Sequence, residues 1–229
     1  MITNLFAIFD PSTQIFNIEL NWLSLTILLL LTPVTYWLSN NTYLRSASTV
    51  TQALSKEIDT LLGPLNFKGV SLAMVSLFLF IILINVLGLI PYVFTPTSHP
   101  IITVTLALPY WLALILFGWV NHTQHIFAHL VPQGTPAPLI SFMVCIETVS
   151  NIIRPLTLSV RLAANIIAGH LLLTLLGNQG PIVRSYVLPS LLAVQLMLLT
   201  LESAVAIIQA YVFIVLITLY VRETSYDKP

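Results

Sequence analysis

Long apolar runs recur along the chain, each closed by a short polar or proline-bearing segment. A hydrocarbon core of ~30 Å requires about 20 apolar residues at ~1.5 Å rise each. Five runs meet that requirement: 20–38, 70–90, 101–120, 139–176 and 187–221. Between the first two, Arg45, Lys56, Glu57, Asp59 and Lys68 interleave with Val50, Leu54, Ile58, Leu61 and Leu62. That spacing near four predicts an amphipathic helix over 45–63 lying along a membrane surface. Pro109 falls inside the third run and should kink it or shorten its regular part. The last two runs, 38 and 35 residues long, would be about 57 and 52 Å as continuous helices. Either Pro155 and Pro189 break them or they lie steeply inclined, and the inclined, paired hairpin is the favoured arrangement, with a turn at Gly177-Asn178-Gln179-Gly180-Pro181.

The fold class is therefore an all-α polytopic membrane protein. It has about five membrane segments, one surface helix, and a single membrane domain over 1–229. Composition agrees: of 229 residues 57% are hydrophobic and 7% charged, against about 25% charged in an ordinary soluble domain. With a net charge of zero and no basic cluster, the chain lacks the footprint for binding nucleic acid. A single cysteine, Cys145, excludes a disulfide framework. Nothing before Arg45 reads as a cleavable leader. Arg45, Lys56 and Lys68 precede span two and Arg222 and Lys228 follow span five, which places those segments on the matrix or cytoplasmic side and the N-terminus opposite, with Arg184 as the exception.

Charges at membrane depth cost ~2.5–3.5 kcal/mol each on insertion scales, which makes them functional candidates. Glu147, Arg154 and Arg161 drift only about 40° around a helix and share one stripe, with Asn165 one turn further. Steps of seven residues separate neighbours by about 10 Å along the axis, so their partners are expected elsewhere. Gln195, Glu202 and Gln209 form a second stripe. If the two segments fold back around the turn, residues whose numbers sum to about 363 are level, which sets Glu202 near Arg161. A plain ion pair is one reading. A proton path is the other, because His170 and Glu147 lie in the same apolar run. His170 sits about 180° around the helix from Arg161 and exchanges protons near neutral pH. A lone histidine can equally be a merely hydrogen-bonded one. Arginine stays charged throughout.

Metal and cofactor chemistry find little support. His122, His125 and His129 lie among Asn121, Thr123, Gln124 and Pro132, which describes a membrane-boundary loop. The in-span histidines lack the repeat a two-haem cytochrome needs, and a phosphate-binding glycine loop is missing. No cofactor or metal is expected.

The run Ser159-Val160-Arg161-Leu162-Ala163-Ala164-Asn165-Ile166-Ile167-Ala168-Gly169-His170, with Glu202 and then Ile208-Gln209-Ala210-Tyr211, resembles subunit a of F-type ATP synthases in its mitochondrial form. Asn85-Val86-Leu87-Gly88-Leu89-Ile90-Pro91 extends the resemblance into span two. It implies a stator facing a rotating ring of c subunits, each with one membrane carboxylate, and two offset half-channels for protons. Arg161 matches the essential arginine that separates the half-channels. His170 and Glu202 occupy the relay-pair positions, Glu147 that of the acid of the other channel, and Asn165 and Gln209 polar positions near the arginine. Arg154 departs from the pattern, several members carrying a neutral residue there, and with Gln195 stands as an auxiliary candidate. The resemblance further implies the mitochondrial inner membrane, an N-terminus in the intermembrane space, a matrix C-terminus, and partners among the peripheral stalk and other membrane subunits. The subunit itself would be non-catalytic. A secondary transporter or proton-pumping respiratory subunit is the alternative, for which internal repeats would be expected.

Overall fold

The computed structural model describes residues 9–12, 19–26, 42–63, 69–90, 93–121, 123, 139–181 and 186–224. Five α-helices are described from end to end, α1 (Thr42–Leu62), α2 (Val70–Gly88), α3 (Pro100–Asn121), α4 (Ile140–Gln179) and α5 (Leu188–Thr224), and residues 23–26 are also helical. Short 3-10 turns at Leu20–Trp22 and Pro96–Ser98 complete the order, and the described residues contain no strand. Helices α2, α3, α4 and α5 are long and apolar enough to cross a membrane. The expected span over 20–38 lies outside the described residues beyond position 26. So do His122, His125, His129, Lys68, Arg184 and Lys228.

Neither proline interrupts its helix. Pro109 lies inside α3 and Pro155 inside α4, and both helices run on unbroken. Each proline removes one intrahelical hydrogen bond, but apolar neighbours leave the remaining backbone groups no better partner than the helix itself. Pro189 is the second residue of α5, where its missing N–H would be unsatisfied in any case. Of the two ways to accommodate the long runs, breakage is thus excluded. At 40 and 37 residues, α4 and α5 are about 60 and 55 Å long. Such helices stay within a ~30 Å core only when steeply inclined.

Helix α1 turns Ile58 and Leu62 inward, four residues apart, while Arg45, Lys56 and Glu57 remain exposed. Those inner residues join a core with Met74, Leu77, Phe78 and Ile81 of α2 and Phe213, Ile214 and Ile217 of α5. Gly63 closes α1 at φ 60° and Gly69 precedes α2 at φ 105°. A side chain at either position would strain the turn joining the two helices.

The opposite end of the bundle is polar. Asn85, Thr95, Thr97, Ser98, Thr103, Glu202 and Gln209 are all buried. Gly88 makes room there, since a Cβ on it would collide with the Thr95 side chain. Many helical hydroxyls, among them those of Thr148, Thr157, Ser159, Thr174 and Thr200, donate to the carbonyl three residues back. Their donors are thus used within their own helix.

Candidate functional site

The register of the α4–α5 hairpin decides which side chains meet. Asn165 Nδ2 donates to Gln209 Oε1 at 3.0 Å, and His170 Nε2 stands 3.8 Å from Glu202 Oε1. Farther down, the Arg154 guanidinium lies over the Tyr220 ring, 5.2 Å from its centroid. Near the turn, Gln195 Nε2 is 3.8 Å from where a Cβ on Gly177 would stand. In each pair the residue numbers sum to about 373 rather than 363. The connection between the helices occupies 180–187, so the fold-back point falls some five residues later than the glycine-rich turn suggests. Glu202 is therefore level with His170, and the expected placement opposite Arg161 is corrected.

A second correction concerns Glu147 and Arg154. The heptad step separates their backbones by about 10 Å, yet Arg154 Nη2 reaches Glu147 Oε1 at 3.7 Å. A guanidinium on three methylenes and a carboxylate on two span that gap when they lean toward each other. The pair is about one-third exposed, 31% and 34%, and at such exposure an ion pair adds little stability. Through Tyr220 it also ties α4 to α5.

The packed face of α4 carries Leu158, Ser159, Leu162, Ala163 and Ile166. Arg161 falls just outside it and is exposed. Among the described residues Arg161 has neither a hydrogen-bond nor an ion-pair partner. Neighbouring it on the open wall are Val160 at 58% and Leu156 at 47% exposure. An apolar surface with one unpaired cation is costly against lipid, so it calls for an anionic partner.

Behind that wall the buried polar atoms gather. Both Glu202 carboxylate oxygens, His170 Nε2, Gln209 Nε2, Asn85 Oδ1 and Thr97 Oγ1 are buried without a hydrogen-bond partner among the described residues. Asn85 Nδ2 reaches the Ala206 carbonyl at 3.5 Å. Each unsatisfied buried group costs about 1–3 kcal/mol, so their concentration at one level of the bundle makes it the candidate functional centre. The 3.8 Å between His170 and Glu202 exceeds a hydrogen bond and suits a bridging water. A carboxylate, an imidazole and two amides so arranged can accept, hold and hand on a proton.

Gly169 is what lets Glu202 approach. A Cβ there would stand 2.5 Å from Glu202 Oε1 and 2.7 Å from Cδ. Gly169→Ala is expected to displace the carboxylate and to destabilise the hairpin by about 1–3 kcal/mol through overpacking. The shorter acid in G169A/E202D should recover part of that loss, and thermal unfolding in detergent checks both.

Asn85 and His99 carry no role in the sequence reading. Asn85 had a signal, a carboxamide in an apolar run. His99, just outside a span, had none. Among the described residues no group of three or more histidine, cysteine or acidic side chains could hold a metal.

The described helices make this an all-helical, multi-pass membrane protein. A family model described as ATP synthase A chain matches residues 18–222. The chain is similar to proteins named ATP synthase subunit a, at 59% identity in Anopheles gambiae and in Aedes aegypti and 58% in Drosophila melanogaster. In each case the match covers 98% of this chain and all of the relative. The chain belongs to the ATP synthase A chain family.

Proposed function

We propose that this chain is the non-catalytic, proton-translocating stator of its complex, acting against a rotating ring of c subunits in the mitochondrial inner membrane. As a member of its family it is a membrane-sector subunit of an F-type ATP synthase, and a part of ATP synthesis and proton transport. Family membership sets aside the secondary-transporter and respiratory-pump alternative.

The observation that carries the reading is the contrast between Arg161 and the pair behind it. Arg161 is exposed on an apolar wall without a partner among the described residues, while the half-buried His170 and the buried Glu202 level with it lie nine positions further along the hairpin. A permanent cation on that wall attracts an ionised ring carboxylate and blocks a proton from hopping straight past. A carboxylate facing lipid must be neutral. Rotation therefore carries protons around Arg161: one half-channel delivers them through Glu202 and His170, and the other, with Glu147 and Arg154 at its mouth, removes them. Asn165 and Gln209, bonded to each other across the hairpin, hold the two helices in register between these groups. Gln195 lies toward the turn as an auxiliary polar group. The N-terminus faces the intermembrane space and the C-terminus the matrix, and the peripheral stalk and other membrane subunits complete the surroundings.

Purification of the complex through this chain in mild detergent tests the partner. A ring of small two-helix proteolipids is expected to co-purify and to cross-link to a cysteine placed at Val160. Recovery of the intact complex with that cysteine remote from the ring would overturn the reading.

A further inference from the structure

We propose that His99 is a positioning residue for the His170–Glu202 pair, holding Phe9 so that the Phe9 ring bears on the His170 imidazole. The inference rests on the relay reading of that pair.

His99 Nε2 lies 2.9 Å from the Phe9 carbonyl oxygen, across ninety positions of sequence. A carbonyl only accepts, so Nε2 carries the proton and the ring's protonation is fixed at that atom. The His99 backbone is itself anchored. It follows the buried Pro96–Ser98 turn, and its N–H donates to the Pro96 carbonyl at 3.1 Å. Thr95, at the start of that turn, fills the space Gly88 leaves on α2. Two rings hold the imidazole in place: Trp22 lies 5.4 Å from it and Phe94 5.5 Å, with 5.6 Å between those two. His99 is thus a fixed post with its donor aimed at the N-terminal segment.

That segment has further ties. Asn21 Nδ2 donates to the Asp10 carbonyl at 3.4 Å. The Ser12 backbone N–H donates to Asp10 Oδ1 at 3.0 Å and holds that carboxyl below its usual range. From this tethered position the Phe9 ring meets His170 nearly edge-on, with centroids 6.3 Å apart and planes at 78°. His170 Nε2 has no hydrogen bond among the described residues, so ring packing from Phe9 restrains the imidazole where hydrogen bonding does not. An imidazole 3.8 Å from its acid transfers a proton efficiently only over a narrow range of orientations.

The test uses the assembled complex in membrane vesicles and measures passive proton flux, after removal of the catalytic head, per assembled complex. F9A removes the ring but leaves the carbonyl, and is expected to lower flux about fivefold to tenfold. H99A should do the same, and the double variant should be no slower than the slower single one, because both act through one contact. H99Q keeps an N–H donor for the carbonyl and should stay within about twofold of the parent. Parental flux in F9A overturns the proposal, as do multiplying losses in the double variant or an H99Q as slow as H99A. If H99A does not assemble, F9A alone decides. H170A runs beside them: its failure to slow flux would refute the relay itself, whereas a slow H170A with a normal F9A refutes only the clamp.

Discussion

Arg161→Ala is expected to abolish proton-coupled ATP synthesis while leaving ATP hydrolysis by the detached catalytic head intact. The side chain is exposed and has no partner among the described residues, so within this chain the substitution removes nothing that holds the fold together. In the proposed mechanism it also removes the cation that faces a desolvated ring carboxylate in the assembled complex. Deleting one partner of a buried charge pair costs about 3–5 kcal/mol, and about 1.4 kcal/mol is a factor of ten. A loss of at least about a hundredfold follows. Lysine at the same position keeps a charge but loses the planar fork and should recover only a minor part. ATP synthesis in energised vesicles, normalised to assembled complex, is the measurement. Retained coupling in assembled R161A would remove the role assigned to the residue.

Glu202→Gln carries the second-largest expected effect. Glutamine matches the volume of the acid and still fits against Gly169, so packing is preserved while the exchangeable proton is lost. Removal of a positioned acid–base group lowers a rate by about a hundredfold or more, and passive proton flux should fall by that order with near-normal amounts of complex. A parallel loss of complex and flux would show instead that the acid serves as a structural partner of His170. Neither buried carboxylate oxygen has a hydrogen bond among the described residues, which favours the first outcome, since a structural ion pair would be closed by hydrogen bonds.

Most of the architecture was legible in the sequence because the bilayer imposes one length scale on every apolar run. Helices α2 to α5 follow from that alone, and the inner face of α1 from the four-residue spacing of Leu54, Ile58 and Leu62. Continuity through Pro109 and Pro155 was not legible: a lost hydrogen bond and a steric bump compete with the absence of any alternative partner in an apolar setting, and only packing shows which prevails. The paired placement of His170 and Glu202 depended on where the hairpin folds back. A glycine-rich turn marks where the chain can bend, whereas side-chain packing along forty residues fixes the register, and the two differ by some five positions. The closeness of Glu147 and Arg154 was missed because backbone spacing says little about how far two long side chains lean. His99 and Phe9 meet through a contact ninety residues apart in sequence, which no local pattern encodes.

The great length of α4 bears on where the membrane voltage acts. If its roughly 60 Å axis stays within a ~30 Å core, it lies about 60° from the membrane normal. The nine positions from Arg161 to His170, about 13 Å along the axis, then divide into about 12 Å sideways and only about 7 Å of depth. In the proposed mechanism, a ring carboxylate moving between the levels of these two residues crosses only about a quarter of the membrane's thickness. Most of the ~2.3 kcal/mol per charge for each 100 mV would then fall on the aqueous approaches, where the voltage drives the loading and unloading of protons and so sets the direction of travel.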